Sequence, residues 1–494
     1  MPRFVSVLTD NCAALERVLS LKTNQDFKKR ELRVYGRGAA VYMLDGMVSA
    51  EYVQRFLLAP CLEHAEHPLS GELEEALLLT IPIGEANRED RAQGAASRLA
   101  YGEAVLLADG MACALCFDVR SFVRRGISQP LTESVVTGPH QGFNESIRDN
   151  ITLLRRILPT PKLIGEMTKI GESAPVSLCV MYLADTVDEE LLRSIRGRLE
   201  GIHVAHVLSI GALEQLLEDH PFAMLPQTCL TERPDRAASF LLEGQIVLLL
   251  DGSPQALCMP VSLFHLLHTP DDTSSRWMAG SFLRLIRYLG ALCTLLLPGL
   301  FVAVVTYQPE ALPLALLTAV LESQASVPFS IPAEMLLMLF LFNLIVEAGI
   351  RVPGAVGSTL GTVSGLVLGQ SAVEAKLVHP LLMIVVAVSS VGSYAVPDYA
   401  LSLAIRIGQF LFLLAGCIFG VYGLVLCATA SIVSICGMRS LGMPFLAPVS
   451  PGRPCNGDVF LRLPIWKQGR RFWMGSAARV PSLRRARGWD GRKP

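Results

Sequence analysis

Glu334, Asn343, Glu347, Arg351, Gln370 and Glu374 stand in sequence that is largely apolar. Ionisable groups are costly in a hydrocarbon layer and persist there where they pair, line a wet cavity or serve ion movement. Glu347 and Arg351 are four residues apart, which places them on one face of a helix as an ion pair. Two readings follow. The pair anchors a short helix at the membrane interface, or the acids line a water-filled path shared between subunits, where they would favour cations. Gly354, Gly357, Gly361, Gly365 and Gly369 recur every three to four residues, a stripe of small side chains that lets helices approach closely. Elsewhere, Cys113 and Cys116 have metal-site spacing but no second pair and no neighbouring histidines, so they read as strand residues. The chain carries no phosphate loop, GxSxG elbow or HExxH helix. No enzymatic activity, metal or cofactor is expected.

The surrounding sequence must position these residues. The 494 residues carry 43 Lys+Arg against 44 Asp+Glu, a net charge of -1 that gives no reason to expect a nucleic-acid partner. Hydrophobic residues make up 51% and charged residues 18%, with a mean hydropathy of +0.43, which excludes a disordered chain and fits a wholly soluble one poorly. Residues 1 to about 284 hold most of the acids, whereas 285–438 is nearly continuous apolar sequence. Candidate spans are 288–307, 355–371, 378–397 and 407–436. The stretch 335–346, bracketed by Glu334 and Glu347, reaches only about 18 Å at helical rise and reads as re-entrant or interfacial. Residues 452–494 contain eleven Lys/Arg and two Asp, which predicts a cytoplasmic tail and an even number of crossings. The N-terminal residues lack the apolar stretch and small-residue cleavage site of a signal peptide, so the soluble half is expected in the cytosol.

That half contains an internal repeat. GEAVLLADGMACALCFDV (102–119) and GQIVLLLDGSPQALCMPV (244–261) share their Gly, Val, Leu, Asp-Gly, Ala-Leu-Cys and Val positions, each an apolar run, an Asp-Gly turn and a second run. A fainter match joins Val41-Tyr42-Met43-Leu44 to Val180-Met181-Tyr182-Leu183. The fold expected is an α/β cytosolic head of two sibling subdomains followed by an α-helical polytopic membrane domain. The divisions expected are an N-terminal segment 1–29, subdomain 1 at 30–122, a linker 123–174, subdomain 2 at 175–284, a membrane domain 285–438 and a tail 439–494. The membrane domain is expected to hold about four crossings and a short helix at 333–347.

In the linker, Gly138-Pro139 and Gly142 force a turn before Phe143, and Asn144 or Asp149-Asn150 can cap the helix that follows Glu145 and carries Arg148, Arg155 and Arg156. On residues alone this reads as a connector with a solvated basic face. Together, Arg124 to Pro130, Glu133 to Asn150 and Leu153-Leu154-Arg155-Arg156 resemble the signature of the GerA family of spore-germination proteins, A-subunit type. Gln129, Thr137, Gln141 and Asp149 stand where that signature has two acids, an arginine and a threonine. The blocks Pro298 to Glu310, Val327 to Phe329, Glu347 to Pro353, Gly357 to Gly361 and Gly369 to Ala375 are similar to the family's membrane half. Tyr42 to Gly46 and the helix after it look closer to the stage V sporulation protein AF branch than to the nutrient-receptor A subunits.

The resemblance implies a linker motif that packs or contacts other subunits. It further implies a homo-oligomeric, pentameric cation channel of the spore inner membrane, embedded in lipid beside other germination membrane subunits. The alternative is a non-conducting membrane scaffold that docks partners through its duplicated head.

Overall fold

Alternation and turn chemistry build the head. In Arg37–Leu44 the apolar side chains fall on both faces of one strand, so that strand must lie inside a sheet covered on both sides. The computed structural model describes residues 3–67, 69, 71–120, 130, 133, 138–351, 365, 367, 369–452 and 458–464. The chain divides into two compact units, Met1–Pro221 with Thr228–Pro260, and Phe222–Gln227 with Val261–Pro494.

The first unit opens with α1 (Leu8–Leu19), β1 (Phe27–Val34) and β2 (Arg37–Leu44). Helices α2 (Ala50–Val53), α3 (Ala59–Glu63) and α4 (Leu73–Thr80) follow, then β3 (Ala86–Glu89), α5 (Ala92–Ala100), β4 (Ala104–Ala108) and β5 (Ala114–Phe117). The antiparallel sheet has the order β1-β2-β4-β5-β3. Cys12, Leu15 and Leu19 of α1 and Leu99 of α5 cover one face through Tyr42, Val105 and Cys116. Val53, Cys61 and Leu77 cover the other through Val41, Leu106 and Cys113. Cys113 and Cys116 therefore serve opposite faces. Burial pushes the Cys113 thiol up to about 11 and the Cys116 thiol up to about 12, which disfavours thiolate chemistry at either.

The second half repeats the plan with α6 (Ile147–Ile157), β6 (Leu163–Ile170), β7 (Val176–Leu183), α7 (Glu189–Glu200), α8 (Ile210–Leu217), β8 (Cys229–Thr231), α9 (Pro234–Glu243), β9 (Ile246–Leu250) and β10 (Ala256–Met259). Its sheet order, β6-β7-β9-β10-β8, is the same permutation. The turns repeat as well. Gly110 and Gly252 have φ of 89° and 81°, the left-handed region that the Asp-Gly hairpins require. The carboxylate of Asp109 accepts the Leu8 N–H at 3.2 Å, and that of Asp251 accepts the Ile147 N–H at 3.2 Å, so each closing hairpin caps the first helix of its own copy. The two siblings expected from sequence are present, and in each a helix and an edge strand precede the strand that carries the fainter match, Arg37–Leu44 or Val176–Leu183. The connector motif thus supplies the opening helix and edge strand of the second copy.

The second unit carries α10 (Leu263–Leu267), α11 (Pro270–Ser274), α12 (Trp277–Tyr307), α13 (Leu314–Gln324), α14 (Ile331–Arg351), α15 (Pro380–Tyr394), α16 (Tyr399–Gly437) and a small hairpin of β11 (Arg439–Ser440) and β12 (Met443–Pro444). Helices α12, α16 and residues Ile331–Gly349 of α14 are long and apolar enough to cross a membrane, with mean hydropathies of 2.2, 2.5 and 1.8. The stretch read as too short is therefore the middle of a 21-residue helix, about 31 Å long. Glu334, the expected boundary, is instead buried inside the fold, and the helix starts before it. Conversely, the expected span 378–397 contains only the 15-residue α15. The expected span 355–371 lies mostly outside the described residues.

Helix α16 is broken at Gly420, whose φ of 60° and ψ of -143° are open only to glycine. Leu401 and Met438 border one cavity of about 650 Å³. A straight helix of 39 residues would hold its ends about 58 Å apart, so α16 is a helical hairpin with its tip at Gly420. Tyr307, at the end of α12, packs on that glycine and donates its hydroxyl to the Cys417 and Ile418 carbonyls at 2.7 and 3.1 Å, acceptors that the break deprives of helical donors. A Cβ on Gly416 would lie 2.7 Å from the Gly299 carbonyl oxygen, which fixes the close approach of α16 to α12.

Candidate functional site

Glu334 lies in the first turn of α14, and its carboxylate reaches the start of α15. Its Oε2 accepts the backbone N–H of His379 at 3.1 Å and lies 2.7 Å from the His379 Nδ1. Pro380 follows at the first helical position, so His379 is the N-cap of α15, and a carboxylate there answers both the free N–H and the helix dipole. Both side chains are fully buried. Phe301 of α12 stacks on the imidazole at 5.9 Å, and the adjacent Met335 and Val378 belong to an apolar cluster with Val302, Leu382 and Leu413. Among the described residues, Glu334 Oε1 and His379 Nε2 are enclosed and have no hydrogen-bond partner. Three helices thus meet at one polar contact set in apolar packing.

The other sequence candidates are dispersed. Asn343 is half-buried and donates to the Leu339 carbonyl at 2.8 Å, within its own helix. Glu347 is exposed near the end of α14; Arg351 closes that helix, and its side chain lies outside the described ones. Gln370 donates to Glu374 at 2.9 Å, and both are exposed. Gly369 faces Met383, no described residue lies within 4 Å of a Cβ placed on Gly365, and Gly354, Gly357 and Gly361 lie outside the described residues. His379 was missed by sequence reading, although it is the one histidine beyond His268 and so the one imidazole of the apolar half. Arg406 was missed too, because the span was started at 407, whereas the helix begins at Tyr399. A second buried polar contact joins Thr294 to the Ser389 carbonyl at 2.8 Å, with Gln409 bonded to the Ser389 hydroxyl.

The start of α12 is held by charge. Asp272, fully buried, accepts from Arg284 Nε at 3.0 Å and from Arg287 at 2.7 and 2.8 Å, while Asp458 accepts from Arg284 at 2.9 Å. Arg462 donates to the Ser275 and Thr273 carbonyls at 2.6 and 2.9 Å. Residues 458–464 of the expected tail are therefore built into this unit.

In the head, the linker motif is a packing element. Arg155, read as part of a solvated face, is buried: its guanidinium bonds Asp26 at 3.1 Å, Asn24 at 3.0 Å and the Leu163 carbonyl at 3.2 Å. Arg148 and Arg156 stay exposed, as does Glu145, whose carbonyl accepts from Gly252 at 2.8 Å. Gly142 and Phe143 are buried, and Phe143 donates its N–H to the Glu232 carbonyl at 2.8 Å. Gly138 has φ of 131°, and the Pro139 carbonyl accepts from buried Arg233 at 3.1 Å. Ser146, not Asn144 or Asp149, caps α6. Asn150 closes the preceding loop, accepting the Asn144 N–H at 2.8 Å and donating to its carbonyl at 2.6 Å. Asn150→Ala removes two buried bonds and is expected to cost the head about 2 kcal/mol, read as a lowered unfolding midpoint of the full chain; an unchanged midpoint contradicts this.

A duplicated α/β head joined to apolar membrane-length helices defines a membrane protein with a sizeable soluble portion. The profile for the Bacillus/Clostridium GerA spore germination protein matches residues 15–473, and the chain belongs to that family. Spore germination protein B1 of Bacillus subtilis is 32% identical over 94% of this chain and 96% of its own, and spore germination protein KA of the same organism is 33% identical over 87% and 80%. Stage V sporulation protein AF of Bacillus subtilis is 28% identical over 88% and 87%. The crystal structure of the N-terminal domain of the A subunit of the Bacillus megaterium spore germinant receptor GerK3 aligns with 52% of this chain and 96% of its own, at 25% identity and a TM-score of 0.41.

Proposed function

We propose that this chain is a membrane subunit of a spore-germination complex that assembles with copies of itself, as a pentamer, and passes monovalent cations across the spore inner membrane beside other germination subunits. The head and tail face the cytoplasm in this reading, which the basic residues of 452–494 support. The observation that carries conduction is the placement of acids on the outside of apolar helices. Glu347 and Glu374 are exposed on a single copy. Against lipid that exposure is costly, whereas around a shared aqueous axis it supplies negative potential for cations.

Glu334 does not share this role, because its carboxylate is spent on His379 inside one copy. The test is potassium release from liposomes holding the full chain, with Glu347→Gln and Glu374→Gln at equal assembly. Flux is expected to fall at least about tenfold, the equivalent of about 1.4 kcal/mol of lost cation stabilisation. Unchanged flux in both variants refutes the path. A well-formed oligomer that passes nothing supports the non-conducting scaffold instead.

A further inference from the structure

Arg406 stands about two turns into α16, on the face that also carries Tyr399, Leu403 and Ile407. These neighbours are open to the surroundings: Tyr399 is 59% exposed, Leu403 45% and Ile407 47%. The guanidinium lies over the ring of Tyr394, 5.5 Å from its centroid, and that ring, at the end of α15, is 62% exposed. Among the described residues Arg406 makes no hydrogen bond or ion pair, and its Nε is enclosed without an acceptor. A permanently charged group with five donors is thus held at the rim of an apolar surface with only an aromatic face beneath it.

Hydrocarbon offers no acceptor, so the cation needs one from beyond the described residues. The two exposed tyrosines mark the depth at which one is available, because tyrosine rings collect where acyl chains give way to headgroups. Phosphate oxygens lie at that level, and the planar fork of an arginine matches them in a bidentate fashion. We propose that Arg406, with Tyr394 and Tyr399, binds the phosphate of an anionic phospholipid in the leaflet at this end of α15 and α16. An anionic lipid is favoured over a zwitterionic one because no ammonium of its own competes for the phosphate charge. The site is independent of conduction.

The full chain, purified and delipidated in detergent, is titrated with phosphatidylglycerol or phosphatidylcholine and bound lipid is counted by native mass spectrometry, with no ion gradient present. Wild type is expected to prefer phosphatidylglycerol about tenfold, the scale of one charge-assisted contact. Arg406→Gln loses most of that preference, Arg406→Lys keeps part of it as a point charge, and Arg439→Gln, at an exposed cation, keeps it all. Equal binding of the two lipids by wild type overturns the proposal, as does an undiminished preference in Arg406→Gln. Loss of assembly in Arg406→Gln with lipid preference intact also overturns it, and assigns the guanidinium to a carboxylate of a second copy. Should Arg406→Gln fail to fold, a photoreactive phosphatidylglycerol decides on wild type alone: crosslinks within 394–407 support the site, and crosslinks only elsewhere refute it.

Discussion

Asp272→Ala is expected to destabilise the membrane unit by about 3–5 kcal/mol, the usual cost of removing one partner from a buried ion cluster. The carboxylate is fully buried and answers two guanidinium groups, Arg284 at 3% side-chain exposure and Arg287 at 11%. Without it, both remain enclosed, Arg284 with Asp458 as its remaining acid and Arg287 with only the Leu267 carbonyl and the Thr269 hydroxyl among the described residues. In a unit of this size the loss corresponds to a fall of roughly 10 °C in the unfolding midpoint. The same residue fixes a pH dependence. Burial by itself would raise the Asp272 carboxyl, but the hydrogen bonds and charges of Arg287 and Arg284 outweigh it and hold the group below its ordinary range. Its contribution is fully present above the unfolded value of about 3.9 and is lost as pH falls through the lower folded value. Thermal unfolding of the detergent-solubilised chain should lose its midpoint on acidification below about pH 4, and Asp272→Asn should remove that part of the slope. A variant as stable as wild type would show that the arginines find other acceptors.

The second large effect is expected at Glu334. Glu334→Leu leaves the His379 backbone N–H and imidazole without their acceptor in an apolar shell, at a cost of about 3 kcal/mol. His379→Leu strands the carboxylate and should cost at least as much. The double variant Glu334→Leu/His379→Leu keeps only one unpaired N–H and is expected to recover about 2 kcal/mol relative to the sum of the singles. The cycle is read from unfolding midpoints in detergent. Additive losses would mean that the two side chains do not stabilise one another.

The contrast between these contacts and the hairpins explains what sequence could reveal. The Asp-Gly turns and the runs around Val105 and Val247 are local patterns, and both copies show them at once. The outer strands β1 and β6, FKKRELRV and LIGEMTKI, are charged edge strands with little apolar alternation, so nothing in them announced a sheet. Arg155 looked solvated because its partner, Asp26, is 129 positions away. Glu334 stands out in the sequence as a costly group, but its partner is 45 residues distant, and acids read as helix ends cut α14 short. The break at Gly420 was hidden in a continuous apolar run, where glycine alone does not distinguish a packing site from a reversal.

That reversal has a consequence for where the flanking segments meet. Because α16 returns on itself, its two ends lie beside Leu263 and Leu267, which precede α12. Helix α12 ends at Tyr307 beside the hairpin tip. A single glycine conformation thereby brings the residues just before α12 and those just after α16 to the same end of the helical unit, where the Leu263 N–H donates to the Phe445 carbonyl.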